Sequence, residues 1–115
     1  MRIFVVPLLL LVACLGCRPD TVSPSDTELR EKLRAITLSD GVSQSEAKII
    51  ARSYFARHVG CGAFTGIRDG GKRWIVDGMF GAAGEPIQGF FIEKRSGKVT
   101  SPVGPSYEDP LKIFP

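Results

Sequence analysis

The chain has 115 residues, of which 43% are hydrophobic and 23% charged, and its formal net charge is +3. That length fits one domain, and the mixed composition excludes a wholly disordered chain, a collagen and a coiled coil. So small a charge, with no Lys/Arg run, gives no case for nucleic acid as a partner.

Met1-Arg2 opens the chain with a positive charge, and Ile3 to Val12 is an apolar run interrupted only by Pro7. Ten residues of helix rise about 15 Å, half a hydrocarbon core, so the run is too short to span a bilayer. It reads as the apolar region of a signal peptide; Pro7 and the leading charge argue against a buried core helix. Leu11-Val12-Ala13-Cys14 and Cys14-Leu15-Gly16-Cys17 both close the run with small residues and then Cys. This resembles the lipobox of bacterial lipoproteins. The resemblance implies a Cys thiol that takes diacylglycerol, a cut just before that Cys, and a new amino terminus acylated by a fatty acid such as palmitate. Each buried CH₂ adds about 0.8 kcal/mol, so several chains hold far better than one.

Two cysteines compete for the lipid. Cys14 matches the consensus better, whereas Cys17 gives a more usual signal length and puts polar Arg18-Pro19-Asp20 after the cut, which tilts the choice slightly to Cys17. Parity tilts it back. With Cys14 acylated, Cys17 and Cys61 remain as an even pair able to form a disulfide outside the cytoplasm. With Cys17 acylated, Cys61 is alone and is expected to be a small buried hydrophobe. The expected organisation is a signal over residues 1–16 (or 1–13), a flexible tether over 17–26, an α+β domain over 27–101 and a Pro-rich tail over 102–115 that docks on it.

Ser25-Asp26-Thr27-Glu28 has the capping-box spacing, and Leu29, Leu33 and Ile36 predict a first helix to about Leu38. Ser39-Asp40-Gly41 breaks it. Ser43-Gln44-Ser45-Glu46 is a second capping box, and Ala47, Ile50, Ala51 and Tyr54 form the stripe of an amphipathic helix over 45–58. From residue 61 the pattern changes to strands. Ala63–Ile67 is a weak strand, Arg68-Asp69-Gly70-Gly71 a hairpin turn, and Lys72–Phe80 the best strand. Trp74, Val76 and Phe80 share one face in period two, with Ile75 and Met79 on the other. Ile87–Lys94 is expected as one strand, and Lys98–Thr100 returns after a turn at Ser96-Gly97. Four prolines stop regular structure after residue 101, while Leu111, Ile113 and Phe114 suit docking. The fold expected is α+β, one or two N-terminal helices packed on a curved antiparallel sheet of three to four strands. So small a domain keeps only a few kcal/mol of net stability, so Tyr54, Trp74, Phe90 and Phe91 carry unusual weight. Trp74→Ala is expected to cost about 3–5 kcal/mol if the ring is buried.

The chemistry-bearing residues are few. His58 and Cys61 could make a base and nucleophile, but no third residue is spaced to orient them, and a His in a last helical turn already suits the helix dipole. Zinc usually needs four Cys or His ligands, and the mature chain, with one cysteine lipidated or cut away, has too few. Asp77 and Glu93 fall on neighbouring strands and could face each other as a glycosidase pair; solvent-side positions suit them better, and Asp77-Gly78 suits a bulge. Gly78-Met79-Phe80-Gly81-Ala82-Ala83-Gly84 lacks the Lys-Ser/Thr and helix start of a phosphate loop. No cofactor is expected. Arg68, Lys72 and Arg73 cluster at the first hairpin and, with Tyr107, are the candidate contacts for anionic lipid or an acidic partner, set against a plain solvated, charge-protected edge.

Ser45-Glu46-Ala47-x-x-Ile50-Ala51-x-x-Tyr54, Trp74-x-Val76-x-Gly78 and Gly89-x-x-Ile92-x-x-x-x-Gly97-x-Val99 together resemble small bacterial domains of the nuclear-transport-factor-like or cystatin-like kind, especially immunity proteins. The likeness covers about residues 43–101. It implies no catalytic residues and a role in binding a toxin. The expectation is therefore a non-enzymatic, lipid-anchored protein of the bacterial envelope, with its domain outside the cytoplasm, that neutralises a toxin or hydrolase. A structural accessory lipoprotein of an envelope complex stands second, and a small enzyme using Asp77 or Glu93 third.

Overall fold

The computed structural model describes residues 24–115. The expected signal segment and both candidate lipidation sites, Cys14 and Cys17, lie outside the described residues. In chain order come α1 (Pro24–Arg34), a 3-10 turn (Leu38–Asp40), α2 (Gln44–His58), β1 (Gly62–Asp69), β2 (Arg73–Phe80), β3 (Glu85–Pro86), β4 (Phe91–Glu93), β5 (Val99–Thr100) and a second 3-10 turn (Pro110–Lys112). The strands form one open antiparallel sheet in the order β1-β2-β4-β5, with β3 paired to the end of β2. Two helices precede and pack on the sheet, so the fold is α+β as expected, with five strands instead of three or four.

The second capping box forms as read. The Ser43 hydroxyl accepts from the Glu46 amide at 3.2 Å, and the Glu46 carboxylate accepts from the Ser43 amide at 2.9 Å. These bonds satisfy amides that helix entry would otherwise leave unpaired. The stripe of α2 is wholly buried: Ala47, Ile50, Ala51 and Tyr54 are each 0% exposed. The first helix differs from expectation. It already begins at Pro24, so Ser25 sits inside it instead of capping it, and residues 24–26 belong to the helix, not to the tether. Proline suits that first position because no partner is needed there for an amide. The helix also stops short of Leu38. The Ile36 amide bonds to the Leu33 carbonyl at 3.2 Å, a tightened last turn that swings Ile36 into the core.

The Arg68–Gly71 turn is the expected hairpin, with the Gly70 amide on the Arg73 carbonyl at 2.9 Å and Gly71 at φ 88°. Along β2 the core face is Trp74, Val76 and Gly78. Phe80, which the period puts on the same face, is 38% exposed at the strand's end, where it stands between Gly62 of β1 and the two-residue β3. The bulge expected at Asp77-Gly78 lies on the opposite strand: Phe64 pairs with Gly78 and Gly66 with Asp77, which leaves Thr65 as the extra residue. Gly78 is bare for another reason. A Cβ there would stand 2.6 Å from Phe55 Cζ and 2.8 Å from the Ala63 carbonyl.

Ile87–Lys94 is not one strand. Gly89 turns the chain at φ 88°, and only Phe91–Glu93 pairs with β2. The kink lets Ile87 and Phe90, three residues apart, both enter the core. Phe90 stacks on Phe55 (5.9 Å between centroids, 11°) and meets Tyr54 edge-on (4.9 Å, 80°). The tail docks as expected: Ile113 and Phe114 are buried, and Leu111 packs partly against the core. Regular structure does not stop altogether, because Tyr107 makes an antiparallel bridge to Val99 and Asp109 caps the final 3-10 turn.

Trp74 is only half-buried. Its indole nitrogen donates to the Val42 carbonyl at 2.9 Å, and the Lys94 ammonium lies 4.3 Å from the ring centroid. The condition for the larger loss is thus not met, and Trp74→Ala is expected to cost about 2 kcal/mol, from partial burial plus one lost bond. Urea melts of the two proteins check this; a loss under about 1 kcal/mol would remove Trp74 as the pin of the α2 entry.

Candidate functional site

The antiparallel register of β2 and β4 sets Arg73 opposite Glu93. It therefore gathers two dibasic pairs, Lys72-Arg73 at the start of β2 and Lys94-Arg95 just past β4. With Gly70 and Glu93 these four cations line an open cleft of about 770 Å³. The Arg73 guanidinium lies over the Phe91 ring, 3.8 Å from its centroid, which holds the charge flat on the outer sheet face. Lys94 bonds to Asp69 at 2.7 Å. That ammonium and the Gly71 amide hold the Asp69 carboxyl below its ordinary range. Among the described residues, Lys72 and Arg95 form no salt bridge. A cleft with four cations and one carboxylate suits an acidic or anionic surface, and desolvating such charges without a partner is costly.

Of the expected contact residues, Lys72 and Arg73 meet in this cleft. Arg68 does not: it is committed to Asp77 by two bonds of 2.7 and 2.9 Å across β1 and β2. Tyr107 lies apart too, with its hydroxyl on the His58 imidazole at 2.5 Å. Sequence reasoning missed Lys94 and Arg95. The trace that could have found them is the repeated dibasic pair at strand ends that an antiparallel partner brings side by side.

The residues considered for catalysis are dispersed. Glu93 lies opposite Arg73, four positions along β2 from Asp77, or about 13 Å of strand, beyond the separation of a glycosidase pair. His58 packs on Tyr54 at 4.9 Å as well as on Tyr107, in a small aromatic cluster closed by the Tyr54 hydroxyl donating to the Pro105 carbonyl at 2.7 Å. Cys61 is exposed and disulfide-bonded, so it is neither a thiolate nucleophile nor the buried hydrophobe expected of a lone cysteine. Among the described residues no group of three or more His, Cys, Asp or Glu side chains could hold a metal ion. No described helix is long and apolar enough to cross a membrane.

Burial, and then the neighbouring Arg57 charge, lower the His58 pKa from its ordinary 6.5. The fold thus favours neutral imidazole. The stability this contributes is fully present above the unfolded value of about 6.5 and is lost as pH falls through the folded value. Chemical melts at pH 8 and pH 5 are expected to show a larger loss for the native chain than for His58→Gln. Equal losses would place the His58 ring in open solvent.

The geometry defines a class, an α+β domain with a basic cleft at one end of its sheet. Compared with known proteins, the chain matches no family model, and no curated protein or solved structure matches it significantly.

Proposed function

We propose that the chain is a lipid-anchored binding protein of the bacterial cell envelope, of the immunity type, that neutralises a toxin or hydrolase without catalysis. The observation that supports this reading best is the cleft: Lys72, Arg73, Lys94 and Arg95 converge on one surface, with Glu93 the one carboxylate in its lining and Asp69 paired to Lys94 beside it. The lipobox-like ending at Cys14 or Cys17 supports a membrane anchor and a domain outside the cytoplasm. The partner face it implies is acidic. Charge of this kind steers encounter and suppresses wrong partners more than it adds raw affinity, so binding should weaken steeply with salt.

The test is co-purification from envelope extracts of the native chain and of the Lys72→Glu/Arg73→Glu variant. The native chain is expected to retain a stoichiometric secreted toxin or hydrolase, and the variant to lose at least tenfold in affinity for it. Retention of envelope machinery alone would favour a structural accessory lipoprotein. Equal retention of the toxin by both chains would remove the cleft as its site.

A further inference from the structure

We propose that Cys14 carries the lipid, that Cys17 is the sulfur bonded to Cys61, and that this short double tie lays the Met79–Phe80 end of the sheet on the bilayer. The inference rests on the lipid anchor proposed above and extends it to the sulfur that holds the chains and the surface that meets the membrane. Cys61 is disulfide-bonded, and with three cysteines in the chain its partner is Cys14 or Cys17. Lipidation of Cys17 is incompatible with both choices. A Cys17 thioether has no thiol to pair, and a bridge from Cys14 would tie the domain to the segment that is cut away. Lipidation of Cys14 leaves Cys17 as the fourth residue of the processed chain.

The Cys14 sulfur displaces the phosphate headgroup of a diacylglycerol phospholipid; a C–S bond forms, a C–O bond breaks, and the thiol proton leaves with the headgroup. Water then cleaves the Ala13–Cys14 amide. Cys17 and Cys61 together give up two electrons and two protons to an oxidised dithiol–disulfide oxidant of the envelope, which leaves as its dithiol.

Three residues of chain span at most about 11 Å, and bridged cysteines keep their Cα atoms within about 7 Å. Cys61 is therefore held within roughly 18 Å of the lipid-bearing residue. It stands immediately before β1, where Gly62 pairs with Phe80 and Ala63 with Met79. Met79 and Phe80, 47% and 38% exposed, are the large exposed hydrophobics among the described residues, and Ala82 and Ala83 of the adjoining turn are exposed too. This apolar end is the one the tie draws down, and a bilayer interface is the occupant it fits. The basic cleft lies at the opposite end of β2: Phe80 to Arg73 is about 23 Å of strand. The anchor then points the cleft away from the membrane.

The test uses the full chain processed in a bacterial host and purified with its lipid. Non-reducing peptide mass spectrometry is expected to show a diacylglyceryl Cys14 at the amino terminus and a Cys17–Cys61 linked peptide. In vesicles of phosphatidylcholine brominated near the headgroup, the added emission of Phe80→Trp is expected to fall at least twofold. The native Trp74, at the far end of β2, is expected to lose less than a tenth of its emission. Phe80→Trp replaces an exposed ring, and its thermal transition is compared with the native one to verify folding. A lipid on Cys17 with an alkylatable Cys61 would overturn the inference while leaving the envelope anchor standing. Equal quenching of both reporters, or none of the added one, would overturn the membrane face. A chain with no lipid on either sulfur would overturn the anchor itself and this inference with it.

Discussion

Phe90→Ala is expected to cost about 3–5 kcal/mol, the range for removing a fully buried ring. The ring is 0% exposed, stacks on Phe55 and meets Tyr54 edge-on, so its loss strips contacts from two aromatic partners on α2 at once. The surroundings have little room to collapse. The Phe90 carbonyl accepts from the Val76 amide at 2.9 Å, which holds the backbone in place while the side chain is removed. A domain of this size has about 5–10 kcal/mol in total, so the variant should lose about a third of it or more. Urea unfolding followed by Trp74 fluorescence measures the difference. A loss below about 1.5 kcal/mol would mean that the aromatic cluster is not the centre of the core.

Gly78→Val should cost about 3 kcal/mol, by overpacking instead of by a cavity. A Cβ alone would stand 2.6 Å from the Phe55 ring and 2.8 Å from the Ala63 carbonyl, and β-branching adds two more atoms. Phe55 is held by stacking on Phe90, which limits how far it can shift. Gly66→Ala is the matched control on the neighbouring strand, because a Cβ there meets nothing within 4 Å. A Gly78→Val protein that melts with the control would mean that α2 rides higher over the sheet than described.

Much of the fold was legible in the chain. The Ser43–Glu46 spacing and the Ala47-Ile50-Ala51-Tyr54 stripe define α2 because cap chemistry and helical period agree there. The Asp69–Gly71 turn is equally local. What escaped depended on distant partners. Ile87 and Phe90 look like one strand with Ile92 until Gly89 turns the backbone, and only the core decides that both enter it. Thr65 carries no mark of a bulge, since a bulge is a property of two strands in register. The candidate site was half legible. Lys72-Arg73 was visible at its hairpin, whereas Lys94-Arg95 joins it only through the pairing of β2 with β4. Arg68 looked like a third member, but Asp77 claims it across the strand pair.

The extra residue at Thr65 has one more consequence. β1 is the outer border of the sheet, eight residues long, and such a border offers hydrogen-bonding groups to any passing chain. An interruption partway along, followed by charged Arg68 and Asp69, breaks the template into pieces too short to recruit a neighbour. Concentrated or crowded on a surface, these molecules should remain separate instead of zipping into ribbons.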